Sequence, residues 1–491
     1  MTGIFCFIRA LYILLRSGVM YHCIVLQFVE NDTEDVIKTK CAEKLKQVLC
    51  DLGPVFIKFG QIVSTRADAV GNIFSESLAK LQNQVEPFSF REVDKIIKHE
   101  FGKDVEHMYA TFDTEPIAAA SVAQVHRATI FNGEKVAVKI LRPNIGKMVA
   151  MDIRLLRLLI KMMSLCSSTF RKLQLEEGID TLQQVMAIEL NLMLEAASAD
   201  QLRENLVDDC HIYIPKIYWA LTSKQVMTQE LVEGTDILDR ERLRALGYNC
   251  EYLAKNLAVS FFNQVYRDGF FHADIHPGNI LISGTGQLTF VDFGIMGMLS
   301  QSDRVLVAKI LYCFITRDYK TLADIHLEND LISKQSSPEL FALACRSIGE
   351  PIMTLPAHKL SIGTLLRQLF EVTRNFGVEV QPRFLLLQKT LITIEGTAAI
   401  LSPNVNMWEL AEPWIKEWAR THLGISGRLK GYEKAAMQIL CDTKQSLQLL
   451  PSFLEKLDRQ ISSNKQYSII NNLVVKLFLC LGLLLLAYYL L

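Results

Sequence analysis

Gly269-Phe270-Phe271-His272-Ala273-Asp274-Ile275-His276-Pro277-Gly278-Asn279, followed by Val291-Asp292-Phe293-Gly294, is the stretch from which the rest of the chain is read. Asp274 stands five positions before an amide, Asn279, and a second acid, Asp292, follows beyond a short β-like hairpin. Phosphoryl transfer needs that set of groups. One carboxylate positions a hydroxyl or a water, an Asn helps hold a metal, and a second Asp holds Mg²⁺ against phosphates. Mg²⁺ prefers oxygen ligands and keeps several waters, so a few protein ligands are enough.

Upstream, the stretch from Pro116 to Ala128 has small residues at a turn and then alternates, and Asn132-Gly133 is a hairpin signal. Lys135-Val136-Ala137-Val138-Lys139-Ile140 follows as a strand. Loop, strand, hairpin and a strand ending in V-A-V-K make the part of a nucleotide site that covers the phosphates. The loop, Ala118-Ala119-Ala120-Ser121, carries alanine where glycines would let backbone N–H groups approach phosphates. Each Cβ disfavours positive φ, so a stiffer loop with a different grip on nucleotide is expected. Residues 151–207 read as helical, and Glu195, followed by Ala196-Ala197, is a candidate partner for Lys139. A solvated acidic face is the other reading that periodicity leaves open. Val226 to Gly234 reads as a strand entering a hinge, Tyr252 to Asp268 as an apolar helix feeding the Asp274 loop, and Gln287 to Val291 as the strand before Asp292. His272 and His276 have the i, i+4 spacing of a metal pair, but Pro277 and the loop context argue against a ligand-bearing helix.

The chain has 491 residues, enough for two or three structural units. A net charge of −1 gives no field that would attract nucleic acid. The 11 cysteines are scattered with no C-x-x-C pair, which points to a reducing compartment and away from a zinc site or disulfide framework. Hydrophobic content of 50% is high, and the ends explain much of it. From Leu473 to Leu491 the chain is apolar except for Lys476, about the ~20 residues that a transmembrane helix needs. Tyr488 and Tyr489 suit the far interface, and Lys465 and Lys476 the near one, which would leave the body facing the cytoplasm. A buried terminal helix is the alternative. Met1 to Val29 is apolar but broken by Arg9 and Arg16, and an amphipathic helix lying on the membrane or the core is preferred to a signal peptide.

Between these ends, Leu52-Gly53-Pro54 ends one helical pattern and opens the next. In that next run Lys58 and Gln61 lie three apart on one helical face among apolar neighbours, either as edge residues or aimed at a polar site. Helical patterns continue through Leu78 to Gln84 and Phe90 to Phe101, and from Ser302 onward no catalytic cluster is evident.

Taken together, Lys58-x-Gly60-Gln61, Ala118-Ala119-Ala120-Ser121, Val136-Ala137-Val138-Lys139, Glu195-Ala196-Ala197, His272-Ala273-Asp274-x-His276-Pro277-Gly278-Asn279 and Asp292-Phe293-Gly294 resemble the UbiB/ADCK family of atypical kinase-like proteins. The resemblance spans roughly residues 50 to 300, and the C-terminal hydrophobic segment resembles that of the bacterial UbiB branch. It implies an α+β, protein-kinase-like bilobal fold with a helical N-terminal extension and a C-terminal transmembrane helix. It also implies Mg-ATP binding and a requirement in ubiquinone biosynthesis. Expected boundaries are 1–114 for the extension, 115–235 for the N-lobe, 236–424 for the C-lobe, 425–468 for a helical tail and 469–491 for the anchor.

By the same resemblance Lys139 contacts the α/β-phosphates and pairs with Glu195, Asp274 is the catalytic-loop acid, and Asn279 and Asp292 hold Mg²⁺. Lys58 and Gln61 belong to a segment that folds over the pocket where a protein substrate would sit, and with Ala118, Ala119, Ala120 and Ser121 they border the nucleotide. One departure stands out. The family usually shows Glu-x-Asp before the Glu-Ala-Ala element, and here Glu189-Leu190-Asn191 keeps an acceptor but loses the second charge. Either the restraint by the N-terminal segment is weaker, or Glu189 carries it alone.

An ATPase or small-molecule kinase acting on or near polyprenylphenol intermediates at the bacterial inner membrane is the leading functional expectation. Membrane lipid or quinone precursors, and other ubiquinone-biosynthesis proteins, are the implied partners, and nucleic acid is not. A nucleotide-switched lipid-binding or assembly module is the alternative, ahead of a protein kinase. A direct hydroxylase ranks last, because no flavin fingerprint and no haem or di-iron motif is present.

Overall fold

In the computed structural model the residues described are 33–64, 71–79, 86–166, 175–333, 335–353, 361–378, 380–403, 405, 407–411 and 415. The apolar N-terminal segment, the tail and the expected anchor at 469–491 lie outside them. All described residues but Ile415 belong to one compact unit.

Three helices open it: α1 (Thr33–Leu52), α2 (Pro54–Ser64) and α3 (Asn72–Ala79), which pack on one another. Helix α4 (Phe90–Phe101) and the short α5 (Val105–Met108) lead to strands β1 (Thr111–Phe112), β2 (Ala118–Ala119), β3 (Ala123–Thr129) and β4 (Lys135–Leu141). Then come α6 (Ile145–Cys166), α7 (Leu175–Glu189), α8 (Leu192–Asn205), β5 (Ile212–Tyr213), β6 (Val226–Glu230) and β7 (Gly234–Asp236). Helices α9 (Arg240–Ala245) and α10 (Cys250–Phe262) precede β8 (Phe270–His272), β9 (Ile280–Ser283), β10 (Leu288–Phe290) and β11 (Met296–Met298). The remainder is helical: α11 (Gln301–Thr316), α12 (Tyr319–Glu328), α13 (Pro338–Met353), α14 (Ile362–Asn375) and α15 (Pro382–Leu401).

Strands β1, β3, β4 and β6 form an antiparallel sheet in that order, with β2 also paired to β3. Alternation in β4 sets its faces, because successive side chains point to opposite sides of a strand. Val136, Val138 and Ile140 pack into a core with Val93, Ile96 and Ile97 of α4. Lys139 therefore lies on the other face, the polar member of an otherwise buried run. A second sheet has the order β5-β10-β9-β7, and β8 pairs with β11. These short strands carry the two arms of the Asp274–Asp292 stretch.

Helicity from Thr181 to Leu206 was expected to be continuous, and it is broken at Leu190–Asn191. Asn191 leaves helical geometry at φ −132° and ψ 88°, and the Leu192 N–H donates to the carbonyl of Lys224 at 3.0 Å rather than up its own helix. A tertiary hydrogen bond outside the segment makes this break. The helix expected from Tyr252 to Asp268 also changes character, with residues Asn263–Asp268 forming a π-helical turn. That turn buries Gln264, whose side-chain Oε1 accepts the His272 N–H at 3.0 Å.

Two glycines shape the loop support. Gly269 sits at φ +68°, where a Cβ would also meet the Leu299 carbonyl at 2.5 Å. A Cβ on Gly297 would lie 2.1 Å from the ring of Phe271, which is fully buried and cannot retreat. Helix α15 is long and apolar enough to cross a membrane by composition, yet 44% of its apolar window is buried, and it packs on α10, α14 and β11 as a core helix does.

Gly297→Ala should destabilise the protein by about 2 kcal/mol through overpacking. Gly146→Ala, where nothing lies within 4 Å of the new Cβ, should cost nothing. Denaturant titration of the two variants checks this, and equal midpoints would refute the packing account.

Candidate functional site

Lys139 leaves β4 towards α8 and towards the residue that follows β10. Its ammonium lies 2.6 Å from Oε1 of Glu195 and 3.1 Å from Oδ1 of Asp292. Glu195 is 6% exposed, whereas Asp292 is 55% exposed. Two carboxylates thus share one cation. Burial pushes Glu195 up to about 7 against the pull of Lys139, and Asp292 adds to the rise. Lys139 holds Asp292 down to about 2 despite burial of part of its surroundings. Burial alone would lower Lys139, but Asp292 and Glu195 outweigh it and raise it. The negative charge therefore resides first on Asp292, the more exposed carboxylate.

Asp292 also has φ +63°, a left-handed conformation uncommon outside glycine. Strain of this kind persists only where neighbours over-determine it, and it collects at functional sites. Here the preceding Val291 N–H donates to the Asn279 carbonyl at 3.0 Å, extending the β9–β10 pairing to the last residue before Asp292.

The Asp274 loop is braced by its histidines. His272 is fully buried, and burial keeps it neutral against the carbonyl of Val291. Its Nε2–H donates to that carbonyl at 3.3 Å, and its Nδ1 accepts the Asp274 N–H at 3.2 Å. His276 Nδ1 accepts the Gly278 N–H at 3.0 Å and caps the short turn Pro277–Asn279. These hydrogen bonds occupy both ring nitrogens of His272 and Nδ1 of His276. Asn279 donates its amide to the Asp274 carbonyl at 2.9 Å, which turns its side-chain oxygen away from that bond.

An Asn oxygen and an ionised Asp carboxylate, brought to adjacent strand ends, form a hard-oxygen set that suits Mg²⁺ with waters and phosphate completing its shell. Among the described residues no cluster of three or more His, Cys, Asp or Glu could hold a metal by itself.

The alanine loop is clamped from below. The Ala120 N–H donates to the Ala123 carbonyl at 2.8 Å, closing a tight turn over Ser121, which is buried. Arg142 directs Nε and Nη2 at the Ala120 carbonyl (3.1 and 3.0 Å) and Nη2 also at the Glu86 carbonyl (2.8 Å). Gln124, wholly buried behind the loop, accepts the Phe88 N–H at 2.9 Å and donates to the Phe88 carbonyl at 3.2 Å. The loop and the irregular segment 86–89 leaving the extension are tied by one arginine and one amide.

Lys58 on α2 forms an ion pair with Glu189 at the end of α7, and both side chains are largely buried, at 16% and 14% exposure. Gln61 lies three residues further along α2, half-buried. Glu189 carries this pairing with Asn191 present where an acid was expected, and the Asn191 side-chain oxygen is buried without a hydrogen-bond partner. The helix break separates the duties of the two glutamates: Glu189 serves α2, and Glu195 serves Lys139.

Two contributions escaped the sequence reading. Lys389 on α15 places its ammonium 3.2 Å from Oδ1 of Asp274, and the neighbouring Thr390 hydroxyl donates to the Ala273 carbonyl at 3.0 Å. The local sign was a lysine in the middle of a nearly apolar helix, a charge that needs a partner. Arg142, directly after the V-A-V-K-I-L strand, gave no local sign at all.

Residues 80–326 match the ABC1 atypical kinase-like domain, and residues 345–406 match the UbiB helical domain. The chain is 39% identical over 400 residues to a protein of Marinobacter nauticus named "Probable protein kinase UbiB", covering 81% of this chain and 73% of the relative. A protein of the same name from Azotobacter vinelandii is 37% identical over 402 residues, covering 81% and 75%. Among solved structures, Rv3197 of Mycobacterium tuberculosis, determined as a complex with erythromycin, is similar at 23% identity and a TM-score of 0.48, covering 76% of this chain and 95% of that one. The chain belongs to the ABC1/UbiB family of atypical kinase-like proteins and has its kinase-like fold of mixed helices and sheets.

Proposed function

We propose that this protein is a membrane-anchored ATPase or small-molecule kinase that uses Mg-ATP in ubiquinone biosynthesis, acting on or near polyprenylphenol intermediates. The observation that carries the reading is the Lys139–Glu195–Asp292 cluster facing the Asp274–Asn279 loop. Lys139, held by Glu195, gives a positioned cation for the α/β-phosphates. Asn279 and Asp292 would hold Mg²⁺, which when bound neutralises phosphate charge and orients the γ-phosphoryl group. Asp274 orients the attacking hydroxyl or water and takes its proton. Ala118, Ala119, Ala120 and Ser121 form a covering loop whose grip comes from a fixed turn. Lys58 and Gln61, on a helix locked to Glu189, favour a small or lipid acceptor over a protein chain. The apolar segment 469–491, as a membrane anchor with the body on the cytoplasmic side, would bring the site to a lipid-borne acceptor.

Asp274→Asn and Asp292→Asn should each lower ATP turnover by about 10²-fold or more while leaving the thermal midpoint within a few degrees. Turnover of purified full-length protein in liposomes, with and without phenolic quinone precursors, checks this. Wild-type rates in both variants would sink the catalytic reading.

Lys139→Met removes the attraction that restrains Glu195, so its pKa should climb further above the ordinary value of 4.5. A raised carboxyl pKa in the folded state stabilises the fold most below the unfolded value, and that contribution is lost as pH rises through the folded one. Wild type has completed this loss near pH 7, so the variant should keep losing about 1.4 kcal/mol per pH unit above that point, where wild type levels off. Denaturant unfolding at several pH values measures it, and parallel profiles for the two proteins would contradict the coupling.

Deleting residues 469–491 should move the body from the membrane to the soluble fraction of the producing cell. Unchanged sedimentation with membranes after a carbonate wash would rule out this segment as the anchor.

A further inference from the structure

Helix α15 is fastened at three places that do not involve Lys389. Arg383 pairs with Asp303 at 2.9 Å, Thr390 bonds to the Ala273 carbonyl at 3.0 Å, and Glu395 accepts the Ile362 N–H at 2.7 Å and the Ser361 hydroxyl at 2.6 Å. Lys389 itself is 54% exposed, and a half-exposed ion pair adds little to stability. Holding the helix is therefore not what this lysine is for. Its ammonium sits 3.2 Å from Asp274, at the mouth of a loop that has no lysine or arginine between Asp274 and Asn279.

We infer that Lys389 is the cation that contacts the γ-phosphoryl group during transfer, supplied to the Asp274 loop from the far end of the chain. The inference rests on the phosphoryl-transfer reading above. A hydroxyl or water that bonds to Asp274 has its oxygen about 3 Å from the carboxylate, with the phosphorus in line beyond it. A cation 3.2 Å from the same carboxylate is then within a few ångströms of the phosphoryl oxygens. In the step, the acceptor oxygen bonds to the γ-phosphorus as the bond to the β–γ bridging oxygen breaks. The acceptor proton passes to Asp274, and ADP leaves with the electron pair. Charge on the transferring oxygens meets an ammonium already in place, with no reorganisation needed. Lys139 serves the α/β-phosphates from β4, so the two lysines divide the triphosphate between them.

The test uses the full-length protein with Lys389→Met and Lys389→Arg. Mg-ATP and Mg-ADP affinities are measured by calorimetry, apo thermal midpoints by scanning fluorimetry, and turnover as in the assay above. Lys389→Met should lose about 10²-fold in turnover. Its preference for ATP over ADP should fall by about tenfold, with ADP affinity and the apo midpoint unchanged. Lys389→Arg, which keeps the charge, should retain most of the preference. An unchanged ATP-to-ADP ratio in Lys389→Met would overturn the inference. So would equal losses of ATP and ADP affinity with a lowered midpoint, which would make Lys389 a support for the loop. A wild-type protein that binds Mg-ATP without turnover would defeat the phosphoryl-transfer reading. The nucleotide ratio would still decide whether Lys389 reaches the γ-phosphate.

Discussion

One ammonium shared by two carboxylates sets the terms for the rest of the site. Lys139 balances only one of them, and the unequal burial of Glu195 and Asp292 decides which stays ionised. The buried acid is pushed towards its neutral form, and the exposed acid is held ionised. Asp292 thus presents an ionised carboxylate on its exposed side. Every element around the cluster has a corresponding task. Strand β4 turns Lys139 away from the apolar core, α8 brings Glu195 under it, and the β9–β10 pairing carries Asp292 to it in a left-handed backbone.

The loops around this cluster are rigid for reasons that lie outside their own sequences. A glycine-rich loop would take its shape from nucleotide. Here the alanine loop takes its shape from the Arg142 guanidinium, whose planar fork bonds to Ala120 and Glu86 at once. The Asp274 loop is fixed by a buried neutral histidine on one side and by α15 on the other. Preorganisation of this sort places catalytic groups without a rearrangement during the reaction.

Much of the site was legible in the sequence because its parts are local. Asp274 and Asn279 sit on one turn, Asp292 follows the next hairpin, and Lys139 ends a strand with unmistakable alternation. Glu195 could be nominated, but pairing and a solvated face have the same periodicity, and only the tertiary distance separates them. The break at Leu190–Asn191 could not be read, because its cause is a carbonyl 32 residues later in the chain. Lys389 lies 115 residues from Asp274, and no local pattern links a helix in the last layer to a loop in the first. The transmembrane-like composition of α15 shows the converse hazard, since a helix made apolar by the core looks the same in composition as one made apolar by lipid.

The break between α7 and α8 has a mechanical consequence. A continuous helix would act as a rod, passing any tilt of the extension, gripped through Lys58 and Glu189, straight into Glu195. At Asn191 the rod is cut, and the segment beyond it is stitched instead to the strand-side carbonyl of Lys224. Each side of the joint thus has its own anchor: Glu189 is seated by Lys58 on α2, and Glu195 by Lys139 on β4.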